Sequence, residues 1–359
     1  MKAALCLEQN QPLSVEEVTP LDPGPGDVIV RITASGVCHS DLSVINGTLP
    51  AGRVVLGHEG TGVVEKVGDD VTDLAVGDRV IGSFIPACGV CWYCLHDQSN
   101  LCEHTYNVMF VPRVRRADGE EMVAMTGLGT FAEMMTVQRM SVVKVESDLP
   151  DEQLALIGCG VTTGVGAALN TAKVEPGSSV AIIGCGGVGQ AVLQGARIAG
   201  AGQIIAIDPV ELKRKTAEQL GATDLVDTNA GDPVAQVQAL TGGRGVDYAF
   251  EVIGLPETTL QAYNMIRKGG TAVMVGMTRA EAQLTIGTFD LFFNEKTLKG
   301  CKYGSGQVRR DFQRFADLIE TGRLDTSSMV SRTIGLDDVN EAFRAMEAGE
   351  VIRSVITTF

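Results

Sequence analysis

The chain has 359 residues, enough for two or three domains, and carries 44 acidic against 29 basic side chains, a net charge of −15. That surplus repels a phosphate backbone and argues against nucleic acid as a partner. With 45% apolar residues and 43 glycines in no every-third-residue period, the chain is neither disordered nor collagen-like.

In chain order, Met1 to Glu8 is a short apolar run, and Glu8 interrupts it too early for a signal-peptide core. The chain reads as cytoplasmic, where clustered cysteines mean metal more often than disulfide. Residues 1–85 read as a mostly β region, with runs such as Val28–Ile32 and Gly60–Val67 bounded by turn residues. Residues 103–127 read as a polar insertion. Its basic tract Arg113 to Arg116, followed by Asp118, Glu120 and Glu121, reads as a solvated loop tip. From about residue 161 the style changes. Strands are predicted at 179–183, 203–207, near 225–226, 247–252 and 271–275, with helices near 188–200 and 210–220. Continuous apolar strands alternating with helices predict an α/β fold with a doubly wound parallel sheet. Gln190, Gln194, Arg197 and Gln203 interrupt the apolar stretch 180–207, so no membrane partner is expected. Amphipathic helices are predicted at 308–322 and 338–348.

Gly184-Cys185-Gly186-Gly187-Val188-Gly189 matches G-x-G-x-x-G between a predicted strand and a predicted helix. The first glycine makes the tight turn, the second admits a pyrophosphate to the backbone, and the third lets helix pack on strand. The helix N-terminus adds partial positive charge. Asp208 closes the next strand. A carboxylate there accepts hydrogen bonds from ribose hydroxyls and repels a 2′-phosphate, which favours NAD over NADP. Lys213, one turn into the following helix, is within reach of the same ribose.

Cys88, Cys91, Cys94 and Cys102 put four thiols within fifteen residues. Four sulfurs suit tetrahedral zinc and leave no open position, which makes a structural site. His96 and His104, beside them, read as loop histidines. Cys38, His58 and Cys159 form a second candidate set. Three N/S ligands with room for a water make a catalytic zinc site, but their spacing does not show that they converge.

Taken together, Cys-His-Ser-Asp at 38–41, Gly-His-Glu at 57–59, the four-cysteine cluster, Gly-Cys-Gly at 158–160 and the glycine motif resemble the zinc-dependent alcohol dehydrogenases of the medium-chain dehydrogenase/reductase family. The resemblance runs over essentially the whole length. It implies a Rossmann NAD-binding domain at 161–303. It also implies a mostly β, GroES-like catalytic domain from 1–160 and 304–359. It implies two zinc ions per chain, NAD, and interconversion of alcohols with aldehydes or ketones by hydride transfer. Cys38, His58 and Cys159 match the catalytic zinc ligands, Glu59 the acidic neighbour of the metal, Asp41 the carboxylate that orients His58, and Ser40 the hydroxyl that takes the alcohol proton. His39 and Arg353 match the pyrophosphate contacts. Thr163 and Val188 match residues behind the nicotinamide, and Val252 and Val275, ending later strands, fall in the cofactor site. Leu49 and Phe84 match an apolar substrate pocket.

Two positions depart from the family pattern. Ser43 stands where many members end the proton relay in histidine, and His39 stands where others carry arginine. The length of residues 103–130 leaves homodimer and homotetramer both open. Three other readings share these residues: a thiol-adduct (S-hydroxymethyl) formaldehyde dehydrogenase using Arg113, Arg115 or Arg116 at its pocket mouth, a protein that never releases NAD, and a non-catalytic zinc/NAD redox sensor.

Overall fold

The computed structural model describes all residues, Met1–Phe359, in two compact units. The first comprises Met1–Gly160, Gln307–Gly322 and Val330–Phe359, and the second Val161–Gly306 and Arg323–Met329. The short stretch Arg323–Met329 falls within the 304–359 segment that the sequence reading kept whole. It packs with the second unit because the buried Gln194 side chain donates to Asp325 O and accepts from Asp325 N.

The first unit opens with β1 (Lys2–Cys6), β2 (Ser14–Pro20), β3 (Asp27–Gly36), α1 (His39–Ile45), β4 (Val54–Val55), β5 (Glu59–Val67) and β6 (Arg79–Gly82). It continues with β7 (Pro112–Arg116), β8 (Glu121–Ala124), β9 (Met134–Gln138) and β10 (Val142–Lys144). The second unit holds β11 (Ser179–Ile183), α2 (Gly187–Ile198), β12 (Gln203–Ile207), α3 (Glu211–Leu220), β13 (Asp224–Val226), α4 (Pro233–Leu240), β14 (Val246–Glu251), α5 (Pro256–Met265), β15 (Ile266–Met274), α6 (Thr288–Phe293) and β16 (Thr297–Gly300). The chain then returns to the first unit with α7 (Val308–Glu320), β17 (Val330–Gly335), α8 (Val339–Glu347) and β18 (Arg353–Thr358).

In the first unit β1-β2-β7-β8-β4 close a barrel, and β10-β6-β5-β3-β18-β17 form a sheet with β9 also on β3. Val28, Val30 and Ile32 of β3 are buried while Arg31 between them is exposed, the period of two that sets one strand face on a core. The second unit is a parallel six-stranded sheet, β13-β12-β11-β14-β15-β16. All five residues of β11 are buried, as expected of a strand covered on both faces. The expected doubly wound sheet is therefore present.

Residues 103–127 correct the sequence reading. Instead of a loop tip, the basic tract is β7, which pairs with β2 and β8 inside the closed barrel. Arg113 is buried against Asp27, Arg115 pairs with Glu121, and Arg116 pairs with Glu16, Asp118 and Glu120. The acids that suggested a solvated tip are the partners that let the arginines lie along a strand.

No single helix is long and apolar enough to cross a membrane. One pair, Asp151–Gly158 with Gly160–Ala172, passes by length and composition but is bent by 57°.

Candidate active site

Pairing of β3 with β5 brings the first donors together. Gly36 stands opposite Glu59, so Cys38, two residues past the end of β3, meets His58, the residue just before β5. Cys38 is the N-cap of α1. The Asp41 side chain turns back to accept from Cys38 N at 3.2 Å and from Gly57 N at 2.9 Å. The same carboxylate lies 3.2 Å from His58 Nδ1. That contact leaves Nε2 of a fully buried ring without a hydrogen-bond partner. Donor atoms of Cys38, His58, Glu59 and Cys159 all lie within 4.8 Å of one another, and all four residues are buried.

A buried imidazole nitrogen facing two thiols and a carboxylate is a costly arrangement unless a cation completes it. The donor set is that of zinc, with a carboxylate holding the far nitrogen of the histidine. Between the thiols, a hydrogen bond from Cys159 draws Cys38 well below the ordinary thiol range and raises Cys159. Burial pulls His58 down, but Asp41 and Cys38 outweigh it and leave the ring raised. Ser40 Oγ lies 3.8 Å from Cys38 Sγ. Phe84 meets the His58 ring edge-on, with centroids 5.6 Å apart.

Glu59 has a second partner that sequence reasoning missed. Arg353 Nη2, 294 residues away, lies 2.5 Å from Glu59 Oε1, and Gly160 N donates to the same oxygen at 3.1 Å. A Cβ at Gly160 would stand 2.4 Å from Arg353 Nη2, so the second glycine of Gly-Cys-Gly makes room for this guanidinium. Burial pushes Glu59 up to about 7, against the pull of Arg353. The resemblance gave Arg353 to the cofactor pyrophosphate. In the structure its guanidinium is buried and donates to Glu59 and the Val37 carbonyl.

The four cysteines of the cluster also converge. Cys88 and Cys94 sulfurs are 3.9 Å apart, as are those of Cys91 and Cys102. Tetrahedral zinc with bonds of about 2.3 Å places its sulfurs about 3.8 Å apart. Backbone N–H groups of Cys88, Val90 and Cys91 donate to cluster sulfurs, as thiolates require. His96 and His104 are exposed and stay outside the cluster; His96 stacks on Trp92.

In the second unit β11 runs into the glycine turn. Gly184 has φ +93°, and a Cβ at Gly189 would stand 1.9 Å from Gly184 O, so both are forced by the backbone. A Cβ at Gly186 would meet nothing within 4 Å. No protein atom requires that glycine, whereas a pyrophosphate approaching the N-terminus of α2 does. Asp208 is buried beside the turn, accepting from Cys185 N and Val210 N, each at 2.9 Å. Of the other expected site residues, His39 is exposed at the start of α1, and Ser40, Leu49, Thr163, Gly187, Val188, Lys213, Val252 and Val275 are partly buried.

Two sets of candidate zinc ligands and a Rossmann sheet with its glycine turn are the parts expected of a zinc-binding dehydrogenase. Residues 24–147 match the alcohol dehydrogenase GroES-like domain, and residues 187–321 match the zinc-binding dehydrogenase family. The chain is 38% identical to an S-(hydroxymethyl)glutathione dehydrogenase of Synechocystis sp., over 99% of both chains. It is 39% identical to an NDMA-dependent alcohol dehydrogenase of Amycolatopsis methanolica, over 99% of this chain and 98% of that one. The crystal structure of benzyl alcohol dehydrogenase from Acinetobacter calcoaceticus superposes with a TM-score of 0.93 at 30% identity, covering 100% of this chain and 99% of that one. This chain belongs to the zinc-binding medium-chain alcohol dehydrogenases.

Proposed function

We propose that the chain interconverts a small alcohol with its aldehyde or ketone, using NAD. The observation that carries this reading is the buried Cys38, His58 and Cys159 set with His58 Nε2 unpartnered. These three residues would hold zinc, which when bound supplies Lewis acidity to a substrate oxygen. Asp41 fixes the His58 ring, and Glu59, held by Arg353, lies within the same donor group. Ser40, beside Cys38, accepts the alcohol proton. The Ser43 hydroxyl is occupied in donating to His39 O at 2.9 Å, so the relay through side chains ends at Ser40 and the proton leaves to water. Leu49 and Phe84 make the substrate wall apolar. His39, Thr163, Val188, Val252 and Val275 contact the cofactor, and the Asp208 carboxylate, placed against a 2′-phosphate, supports NAD over NADP. Cys88, Cys91, Cys94 and Cys102 hold the structural zinc. The protein acts in the cytoplasm as a homodimer or homotetramer.

Metal analysis combined with NADH fluorescence over an alcohol and aldehyde panel tests the assignment. Two zinc ions per chain, reduction of NAD by an alcohol, and loss of turnover in Cys38→Ala with NADH binding retained are expected. Full activity in Cys38→Ala, or turnover with NADP only, would sink it. The thiol-adduct reading needs a free cation at the pocket mouth, yet Arg113, Arg115 and Arg116 are all paired with carboxylates. Formaldehyde oxidation is therefore expected to be indifferent to glutathione. A redox sensor needs no serine beside its metal donors, and a permanently bound cofactor would show in the absorbance of the purified protein.

A further inference from the structure

Gln190 follows Gly189, the last glycine of the motif. Gln190 lies in the first turn of α2, fully buried. Its Nε2 donates to Cys185 O at 2.8 Å and to Lys213 O at 2.9 Å. The two carbonyls use both amide hydrogens and fix the orientation of the side chain. Its Oε1 is left buried without a partner. Packing alone would favour leucine or methionine here, since an amide with one orphan atom is a poor core group.

The contacts explain what the amide does. Cys185 is the variable residue inside Gly184-x-Gly186, and its peptide groups are held on both sides. Its N–H donates to Asp208 Oδ2, and its C=O accepts from Gln190. Its own thiol is buried, and burial raises its pKa beyond any reactive range. Lys213 is in the first turn of α3, five residues after Asp208, and Arg214 Nη1 donates to Asp208 O at 2.6 Å. The carboxamide thus links the pyrophosphate turn to the segment facing the adenosine ribose.

We propose that Gln190 is a positioning residue for the dinucleotide: it sets the spacing between the glycine turn and the Asp208–Lys213 segment before the cofactor arrives. This rests on the reading of the second unit as an NAD site. A ligand that spans both points gains from having them fixed, because the second contact is then made at high effective concentration. A ligand that touches one point gains nothing.

The test compares wild type, Gln190→Leu and Gln190→Asn, whose shorter amide cannot reach both carbonyls, by NADH fluorescence titration and calorimetry with adenosine, which carries the ribose and no phosphate. In the folded, zinc-loaded variants NADH should bind about tenfold more weakly and adenosine within about twofold of wild type. KM for NAD should rise with kcat at saturation nearly unchanged, the signature of binding lost equally from ground and transition states. If NADH affinity in either folded variant stays within about twofold of wild type, the proposal falls. It falls equally if adenosine weakens as much as NADH, which would mean local disorder and not lost spacing. If Gln190→Leu does not fold, Gln190→Asn carries the test. A wild-type preference for NADPH would overturn the NAD reading instead, and the same titrations with NADPH would still decide the role of Gln190.

Discussion

At the residue scale the site is a set of charges and donors that hold one another. Asp41 serves Cys38 N, Gly57 N and His58 Nδ1 at once. Asp41→Ala should therefore cost about 10- to 100-fold in zinc affinity or kcat/KM, measured by zinc retained on dialysis and by alcohol turnover. Unchanged zinc retention and turnover would remove Asp41 from the site. The Glu59–Arg353 pair makes a separate prediction. Both groups are buried, and removing one partner of such a pair costs about 3–5 kcal/mol because the other charge is stranded. Arg353→Leu should lower Tm sharply, and adding Glu59→Gln should restore much of the loss. Strict additivity of the two changes would show that the pair is not coupled. The four-cysteine cluster was legible in the sequence because its ligands are local. The convergence of Cys38, His58 and Cys159 came from motif resemblance, not spacing. The Glu59–Arg353 pair had no local signal at all, since nothing near either residue marks a partner 294 positions away.

At the element scale, strands with continuous apolar runs were the easiest to read. β11 and β12 fall at the predicted 179–183 and 203–207 because a strand buried on both faces leaves a run of Val, Ile and Ala. β7 was missed because Pro-Arg-Val-Arg-Arg reads as a charged loop until its acidic partners on β2, β8 and the turn are known. α4 was missed because its pattern is only weakly amphipathic, although Asp232 caps it from side chain to Val234 N and Ala235 N and Pro233 follows. Trp92 is the chain's only tryptophan and sits between Cys91 and Cys94. Chelation of the structural zinc should shift its emission while NADH still binds; an unmoved Trp92 spectrum in metal-free protein would deny the cluster its role in ordering the lobe. The start of the parallel sheet is held by Asp247, which accepts from Ser179 N and Oγ at 2.7 Å and from Arg267 Nε at 2.6 Å. Burial raises its pKa, but the Ser179 and Arg267 hydrogen bonds outweigh that and leave it lowered. Its stabilisation is thus full above the unfolded value of about 4 and is lost as pH falls through the lower folded value. Asp247→Ala should destabilise by about 1–3 kcal/mol at pH 7. The calorimetric difference from wild type should shrink in acid, and a difference independent of pH down to about 3 would contradict the account.

At the scale of the whole molecule, the surface carries two opposing signals. The net charge of −15 pushes copies apart. Against it, α6 exposes three aromatic rings, Phe289, Phe292 and Phe293, at 72%, 78% and 63%. The helix lies just before β16, the last strand of the six-stranded sheet, whose outer edge is unpaired. Exposed aromatic groups and an open strand edge are each a liability unless another chain covers them. A second copy offers the same rings and the same edge, so a two-fold contact would satisfy both at once. Light scattering should therefore give a dimer or a multiple of it at micromolar concentration. The double substitution Phe289→Ser and Phe292→Ser should shift the population toward monomer. The two signals also fix the response to salt. Screening of like charges should strengthen the association as ionic strength rises, whereas a contact built on ion pairs would weaken. A wild-type chain that is monomeric throughout, or one that dissociates on adding salt, would place the interface elsewhere and leave the α6 aromatics unexplained.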